Sequence, residues 1–389
     1  MGRIAACTIA AKSYLSYARV LAQSFQEHHR HHPDVPFFVL LADEVDGWFD
    51  SAAEPFHLLH LADLEIPRLE RFRFHYTQQP LSYAVTPWLL RHLLDRGFTS
   101  AVFFKQESLV LGDQTPAFEK LETCSIVLTP HLLAPLDDVD RELNILLSGI
   151  FNIGFLGVSE TPTAREFLAW WQDRVFAHCR HAVADGMHYE QRWIDLVPSF
   201  FEGVCILRDP GANIGHWNLP ERDVQSCRLF RFSGFSPDDP ATPTKYSTRL
   251  TMANLGPVAK VFDRYRRLLE EAGYHATKSW PYAYGFFDNG VPVPDLARRM
   301  YLDLGEEVAS FGDPLHTGSP HSYYQWLNHP VDPASAVTRL WQAVYRERPD
   351  VQTAFPDLLG SDSGAFLDWT AGFGVREHAI SEAFLVHAP

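Results

Sequence analysis

The chain has 389 residues, 46% hydrophobic and 21% charged, with a formal net charge of -15. That is a globular composition with room for one large α/β domain and a smaller unit. The acidic excess excludes a broad nucleic-acid or anionic-membrane surface, so any anionic ligand must be met by a few locally placed cations.

The predicted elements open in β-α-β order. Residues 4–9 read as an apolar strand, and 14–25 carry apolar side chains at helical spacing. A second strand at 37–41 ends on Ala42-Asp43-Glu44. The run His28-His29-Arg30-His31-His32 offers metal-ligating side chains. Its place between a helix and Pro33 predicts a solvated helix end instead. Residues 54–82 mix polar and aromatic side chains without a usable period. A helix at 87–96, stopped by Gly97, leads into the apolar strand 101–104. There the chain turns abruptly polar, as Lys105-Gln106-Glu107-Ser108, before apolar Leu109, Val110 and Leu111. Ligands of α/β sheets gather at the carboxyl ends of strands, which makes this charged break a candidate site.

Strands follow at 126–130 and 150–158, the second interrupted by Asn152-Ile153-Gly154, where glycine permits close backbone approach. A helix spans 163–179. In the segment 188–195, helical spacing would place Gln191 and Asp195 on one face and Glu190 and Ile194 on the next. Short strands at 204–207 and 229–232 come before a turn-rich stretch at 234–244, the expected link between the two parts. From about residue 255 the pattern is helices and loops, at 258–272, 294–304 and 336–346. The expected domains are therefore 1–250 and a mainly helical region, 255–389. Five scattered cysteines (Cys7, Cys124, Cys179, Cys205, Cys227) without a CxxC predict a reduced, cytoplasmic chain. No signal peptide is visible, and no apolar run reaches the roughly 20 residues of a bilayer span, so no integral membrane segment is expected.

Several segments, taken in order, resemble a GT-A-type glycosyltransferase, similar to glycosyltransferase family 8 and its bacterial relatives. The stretch Cys7-Thr8-Ile9-Ala10-Ala11 with Tyr14 resembles the segment that holds the nucleotide base, and Asp43 the acid that contacts base or ribose. Asn152-Ile153-Gly154-Phe155 resembles the strand facing the donor sugar, and Glu190-Gln191 the Asp-Gln pair beside the reacting carbon. Phe232-Ser233-Gly234 followed by Lys245 resembles the His-x-x-Gly…Lys element that grips the diphosphate. The resemblance implies a Rossmann-like mixed sheet flanked by helices, and a nucleotide-diphosphate sugar as donor.

One departure is central. The family's Asp-x-Asp carboxylates bind a divalent metal that steadies the leaving diphosphate. Here Lys105 and Glu107 stand in those places, and Arg231 replaces the third ligand, a histidine. Protonated Lys and Arg cannot ligate a cation. The resemblance with this replacement implies transfer without a metal cofactor, with retention of configuration, and with Lys105, Arg231 and Lys245 meeting the diphosphate. Glu107 is expected to hold Lys105 by ion pairing. Asn152 and Gln191 are expected to orient the sugar, with Glu190 or Asp195 as the carboxylate near the anomeric carbon. The donor contacts are expected from Thr8, Ala10, Tyr14, Asp43, Glu107, Ser233 and Gly234. UDP is the expected carrier, and the acceptor a carbohydrate, a lipid-linked sugar or a small molecule, with the helical region a place for its selection. The alternative is a nucleotide-sugar-binding protein that lost catalysis together with the metal motif.

Overall fold

The computed structural model describes residues 2–332 and 334–385. Its strands are β1 (Ile4–Ala10), β2 (Phe37–Leu41), β3 (His57–His60), β4 (Ser100–Phe104), β5 (Ser108–Val110), β6 (Ile126–Pro130), β7 (Phe151–Ser159), β8 (His181–Ala182), β9 (Met187–His188), β10 (Val204–Ile206), β11 (Ile214–Gly215) and β12 (Leu229–Arg231). Seven of them make a mixed sheet in the order β10-β6-β7-β4-β1-β2-β3. Pairing is parallel except around β7, which runs antiparallel to both β4 and β6. Helices flank the sheet, so its inner strands are buried on both faces and read as continuous apolar runs.

The chain passes from this sheet into a smaller one, ordered β11-β12-β5, through the polar break at 105–107. Phe104 still pairs with Phe155, and the Lys105 N–H reaches the Gly154 carbonyl at 3.1 Å. Three residues later Ser108 pairs with Arg231, while the Phe232 N–H donates to the Glu107 carbonyl at 2.8 Å. The charged residues thus sit at the carboxyl end of β4, where two sheets part.

The small sheet packs on helix Ala259–Glu271 through Phe230, Phe232, Phe262 and Tyr265, and the Phe232 and Tyr265 rings stack at 3.7 Å. That helix therefore belongs to the first compact unit, which comprises the chain up to Ile66 and Gln79–Tyr282. The second unit comprises Pro67–Gln78 and the chain from Ala283 on. The division differs from the one expected near residue 250, because aromatic packing carries the sheet unit past the turn-rich stretch. In the helical unit, Phe74 packs against Tyr301 and Tyr323, at 4.8 and 5.6 Å. Of the aromatic runs at 280–284 and 323–326, Tyr284 and Tyr323 are core side chains.

Two sequence expectations change here. Parallel pairing of β10 with β6 brings Cys124 and Cys205, 81 residues apart, to a Cα separation of 5.9 Å, and they form a disulfide. This corrects the expectation of five reduced thiols; Cys7, Cys179 and Cys227 are free and buried. In the histidine run, His29 is a packed core residue. Its Nδ1 donates to the Phe25 carbonyl at 2.8 Å, Nε2 accepts from the Gln114 N–H at 3.0 Å, and burial lowers its pKa. No helix among the described residues is long and apolar enough to cross a membrane.

Candidate functional site

A cavity of about 800 Å³ opens at the carboxyl end of β4. Of the residues singled out in the sequence, Lys105, Asn152, Glu190, Gln191, Arg231, Ser233 and Lys245 line it. Sequence reasoning missed Tyr83, His131, Arg141, His188, Trp217, Tyr246 and Arg249, which line it as well. Thr8, Ala10, Tyr14, Asp43, Glu107, Asp195 and Gly234 do not.

Lys105 is 4% exposed, and its ammonium donates to Glu190 Oε1 at 2.6 Å. It also lies 3.2 Å from the centroid of the Tyr83 ring, a cation–π contact sheltered from water. Burial lowers the Lys105 pKa, and the Glu190 charge opposes that shift. The expected partner was Glu107. That carboxylate instead faces Arg231, with Oε2 3.5 Å from the guanidinium, because β5 pairs with β12 immediately after the break.

Asn152 is fixed on every side. Its Oδ1 accepts from the Gly154 N–H at 2.8 Å and from Asn213 Nδ2 at 3.0 Å, while its Nδ2 lies 2.9 Å from His131 Nε2. Asn213 sits at φ 51° and also donates to Thr129 Oγ1 at 2.8 Å. Gly154 makes this knot possible, since a Cβ there would fall 2.1 Å from Asn213 Oδ1.

The segment after β9 departs from the helical reading. Tyr189 has φ 50°, and Gln191–Leu196 is a 3₁₀ helix. Gln191 donates to the Ser148 carbonyl at 2.9 Å and accepts from the Ile153 N–H at 3.1 Å. Asp195 Oδ1 accepts from the Ile150 N–H at 2.8 Å, and Oδ2 pairs with Arg192. Both side chains clasp the start of β7, and Asp195 stands away from the cavity. Among the described residues, Glu190 is the one carboxylate that lines it.

Beyond β12 the chain loops back on itself. The Lys245 N–H donates to the Gly234 carbonyl at 2.9 Å, and Thr244 Oγ1 donates to the Ser233 carbonyl at 2.8 Å. Gly234 has φ 77°, and a Cβ there would lie 2.7 Å from the Tyr246 ring. The turn therefore demands glycine, and it returns Lys245 to the wall of the cavity that Arg231 also lines. Lys245 has no carboxylate partner among the described residues. Arg231 is 8% exposed, and its Nε has no hydrogen-bond partner. The residues at the resemblance's metal positions do not fit a divalent ion: two are cations, and the remaining carboxylate, Glu107, already faces one of them. Among the described residues no three His, Cys, Asp or Glu side chains gather as a metal site.

At the carboxyl end of β1, Thr8 and Ala10 are buried, and the Ala10 carbonyl accepts from the Ala42 N–H at 2.9 Å. The expected ribose acid, Asp43, is engaged by a lysine the sequence reading passed over. Lys12, fully buried, donates through Nζ to Asp43 Oδ1 at 3.2 Å and to Asp46 at 2.9 Å. Tyr14 keeps an accessible ring, 36% exposed, with its hydroxyl pKa pushed up to about 12 by burial and then by the Glu107 charge.

Three histidines of the cavity wall are held neutral by burial, His131 near a pKa of about 3, and His188 and His216 near about 4. The helix Val139–Ser148 forms the opposite wall through Arg141, Asn144 and Ile145. It turns Val139, Leu143 and Leu146 to solvent.

No protein-family model matches the chain. Two proteins of Bacillus subtilis (strain 168) are similar in sequence, both described as uncharacterized. YfnF is 26% identical over 218 residues, which cover 54% of this chain and 71% of YfnF. YfnD is 25% identical over 227 residues, with the same coverage of 54% and 71%. Solved structures that resemble the chain include the galactosyltransferase LgtC in complex with donor and acceptor sugar analogues, at a TM-score of 0.42 and 16% identity, covering 69% of this chain and 95% of that one. The glycosyltransferase GlyE of Streptococcus pneumoniae TIGR4 gives a TM-score of 0.42 at 14% identity, covering 74% and 67%. The bifunctional glycosyltransferase WbbM gives 0.43 at 13% identity, covering 68% and 52%.

Proposed function

We propose that this chain transfers a sugar from a nucleotide-diphosphate sugar to an acceptor without a divalent metal, and that Arg231 and Lys245 receive the diphosphate. The observation that carries this reading is a local reversal of charge. In a chain of net charge -15, the described residues line this cavity with five Lys and Arg side chains and one carboxylate. Arg141 and Arg249 are committed at the rim to Asp138, and Arg249 to Asp140 as well. Lys105 is paired with Glu190, while Arg231 faces Glu107 at 3.5 Å with its Nε unpartnered and Lys245 has no carboxylate partner among the described residues, so these two keep donors for the ligand. A guanidinium presents a fork that matches phosphate oxygens, and an ammonium adds a point charge. Arg231, buried and facing Glu107, would stabilise charge building on the leaving diphosphate with little reorganisation, and the exposed Lys245 would add its charge from the cavity wall. Asn152, locked by His131 and Asn213, would present its amide to the sugar. Glu190, which lines the cavity, would serve as the carboxylate near the reacting carbon, in a reaction expected to retain configuration.

Calorimetry of UDP, GDP and dTDP, each with manganese and with EDTA, tests the reading. The expected result is tight binding of one nucleotide, UDP, unchanged by EDTA. Binding that appears only with manganese would overturn the metal-free diphosphate site. Nucleotide binding without transfer or hydrolysis under either condition would mean a binding protein in place of an enzyme.

A further inference from the structure

The sequence assigns Lys105 to the diphosphate, but the geometry points to a different task. We infer that Lys105 is the positioning residue of Glu190 and stays with that carboxylate when a diphosphate is bound. This rests on the glycosyl-transfer reading of the cavity and changes the work assigned to its most deeply buried cation.

Four observations support it. The Nζ–Oε1 distance is 2.6 Å, with the two side chains 5% and 2% exposed, so the pair is shielded from solvent. The ammonium rests on the Tyr83 ring at 3.2 Å, a second contact it would forfeit by moving. Glu190 is itself anchored, since its backbone carbonyl accepts from Trp171 Nε1 at 3.2 Å. Its second oxygen, Oε2, has no hydrogen-bond partner among the described residues, leaving one face of the carboxylate uncommitted.

The balance of effects follows from burial. Drawing Lys105 onto a phosphate would strand a buried carboxylate without a counter-charge, one of the costlier events in a protein interior. In return a diphosphate already met by Arg231 and Lys245 would gain a third cation. Breaking the pair therefore costs more than the third cation returns. The other ionisable groups around Glu190 do not replace Lys105. The neighbouring His188 is held neutral by burial, and burial keeps the Cys179 thiol and the Tyr83 hydroxyl protonated. Arg231 is engaged with Glu107. The pair thus does two things: it fixes one oxygen of Glu190, and it holds a carboxylate beside the sugar without attracting a metal.

The test uses the full chain labelled with ¹³C at the glutamate carboxyl carbons, with Glu190→Gln to assign the Glu190 resonance, and UDP as the probe. Saturating UDP is expected to leave the Glu190 resonance in place, and Lys105→Met to move it while UDP affinity stays within about threefold of wild type. A shift of the wild-type Glu190 resonance on adding UDP, or a tenfold or greater loss of UDP affinity in Lys105→Met, would overturn the inference and return Lys105 to the phosphates. The wild-type measurement needs no Lys105 variant, so it decides the matter even if Lys105→Met does not fold. If the wild-type chain binds no UDP, it is the donor assignment that fails. The response of the Glu190 resonance to Lys105→Gln then reads the pairing alone, and an unmoved resonance refutes it.

Discussion

Arg231 is the side chain on which the diphosphate reading depends most, and its replacement can be worked through. In the free protein Arg231 is 8% exposed, with its guanidinium 3.5 Å from Glu107 Oε2 and its Nε unpartnered. Hydrogen bonds to charged groups contribute about 1.5–3 kcal/mol each. Arg231→Ala removes a forked pair of them and leaves Glu107, behind the cavity wall, without its counter-charge, while water restores part of the loss. A net cost of about 2–4 kcal/mol follows, which is roughly a 30- to 1000-fold weaker nucleotide diphosphate. Arg231→Lys keeps the charge but not the fork, so its loss should fall between wild type and Arg231→Ala. Arg231→Ala/Glu107→Gln removes the stranded carboxylate and should recover about 1 kcal/mol of the deficit. Calorimetry of UDP in EDTA measures all four proteins, with urea midpoints reporting whether each is folded. A Kd for Arg231→Ala within threefold of wild type would refute the assignment of Arg231 to the diphosphate.

Two further outcomes are expected. Gly154→Ala would push a Cβ to within 2.1 Å of Asn213 Oδ1 and 2.7 Å of Asn152 Oδ1. The strain, at the upper end of about 1–3 kcal/mol, should appear as a lower urea midpoint together with weakened donor binding, and an unchanged midpoint would contradict the packing described around Asn152. Stability should also fall as pH drops from 7 to 5. His131, His188 and His216 stay neutral in the folded state, at about 3, 4 and 4, while in the unfolded chain they gain protons below about 6.5. The folded state therefore holds its advantage above that range and loses it as acid is added. Urea midpoints that do not change between pH 7 and 5 would show these side chains to be solvated.

By itself the sequence determined the order of the main buried strands and the location of the charged break, but not β3 in the unassigned stretch or the short strands β8, β9 and β11. Those features are local. Apolar runs such as Phe37–Leu41 and Ile126–Pro130 stand as strands with the bounds expected, because burial on both faces leaves no period to mistake. The polar residues 105–107 could be recognised as a site because nothing in a buried strand explains them. Tertiary structure alone decided which charges pair. Lys105 lies two residues from Glu107 yet binds Glu190, 85 residues away, because the chain crosses between two sheets at that point and sends the two side chains to different partners. Lys12 with Asp43, Cys124 with Cys205, and Asp195 with the start of β7 depend likewise on strand order and register. Register is fixed by the packing of whole faces, and no short stretch of sequence contains it. Thus the sequence marked where the cations stand, and the fold determined which of them a ligand can use.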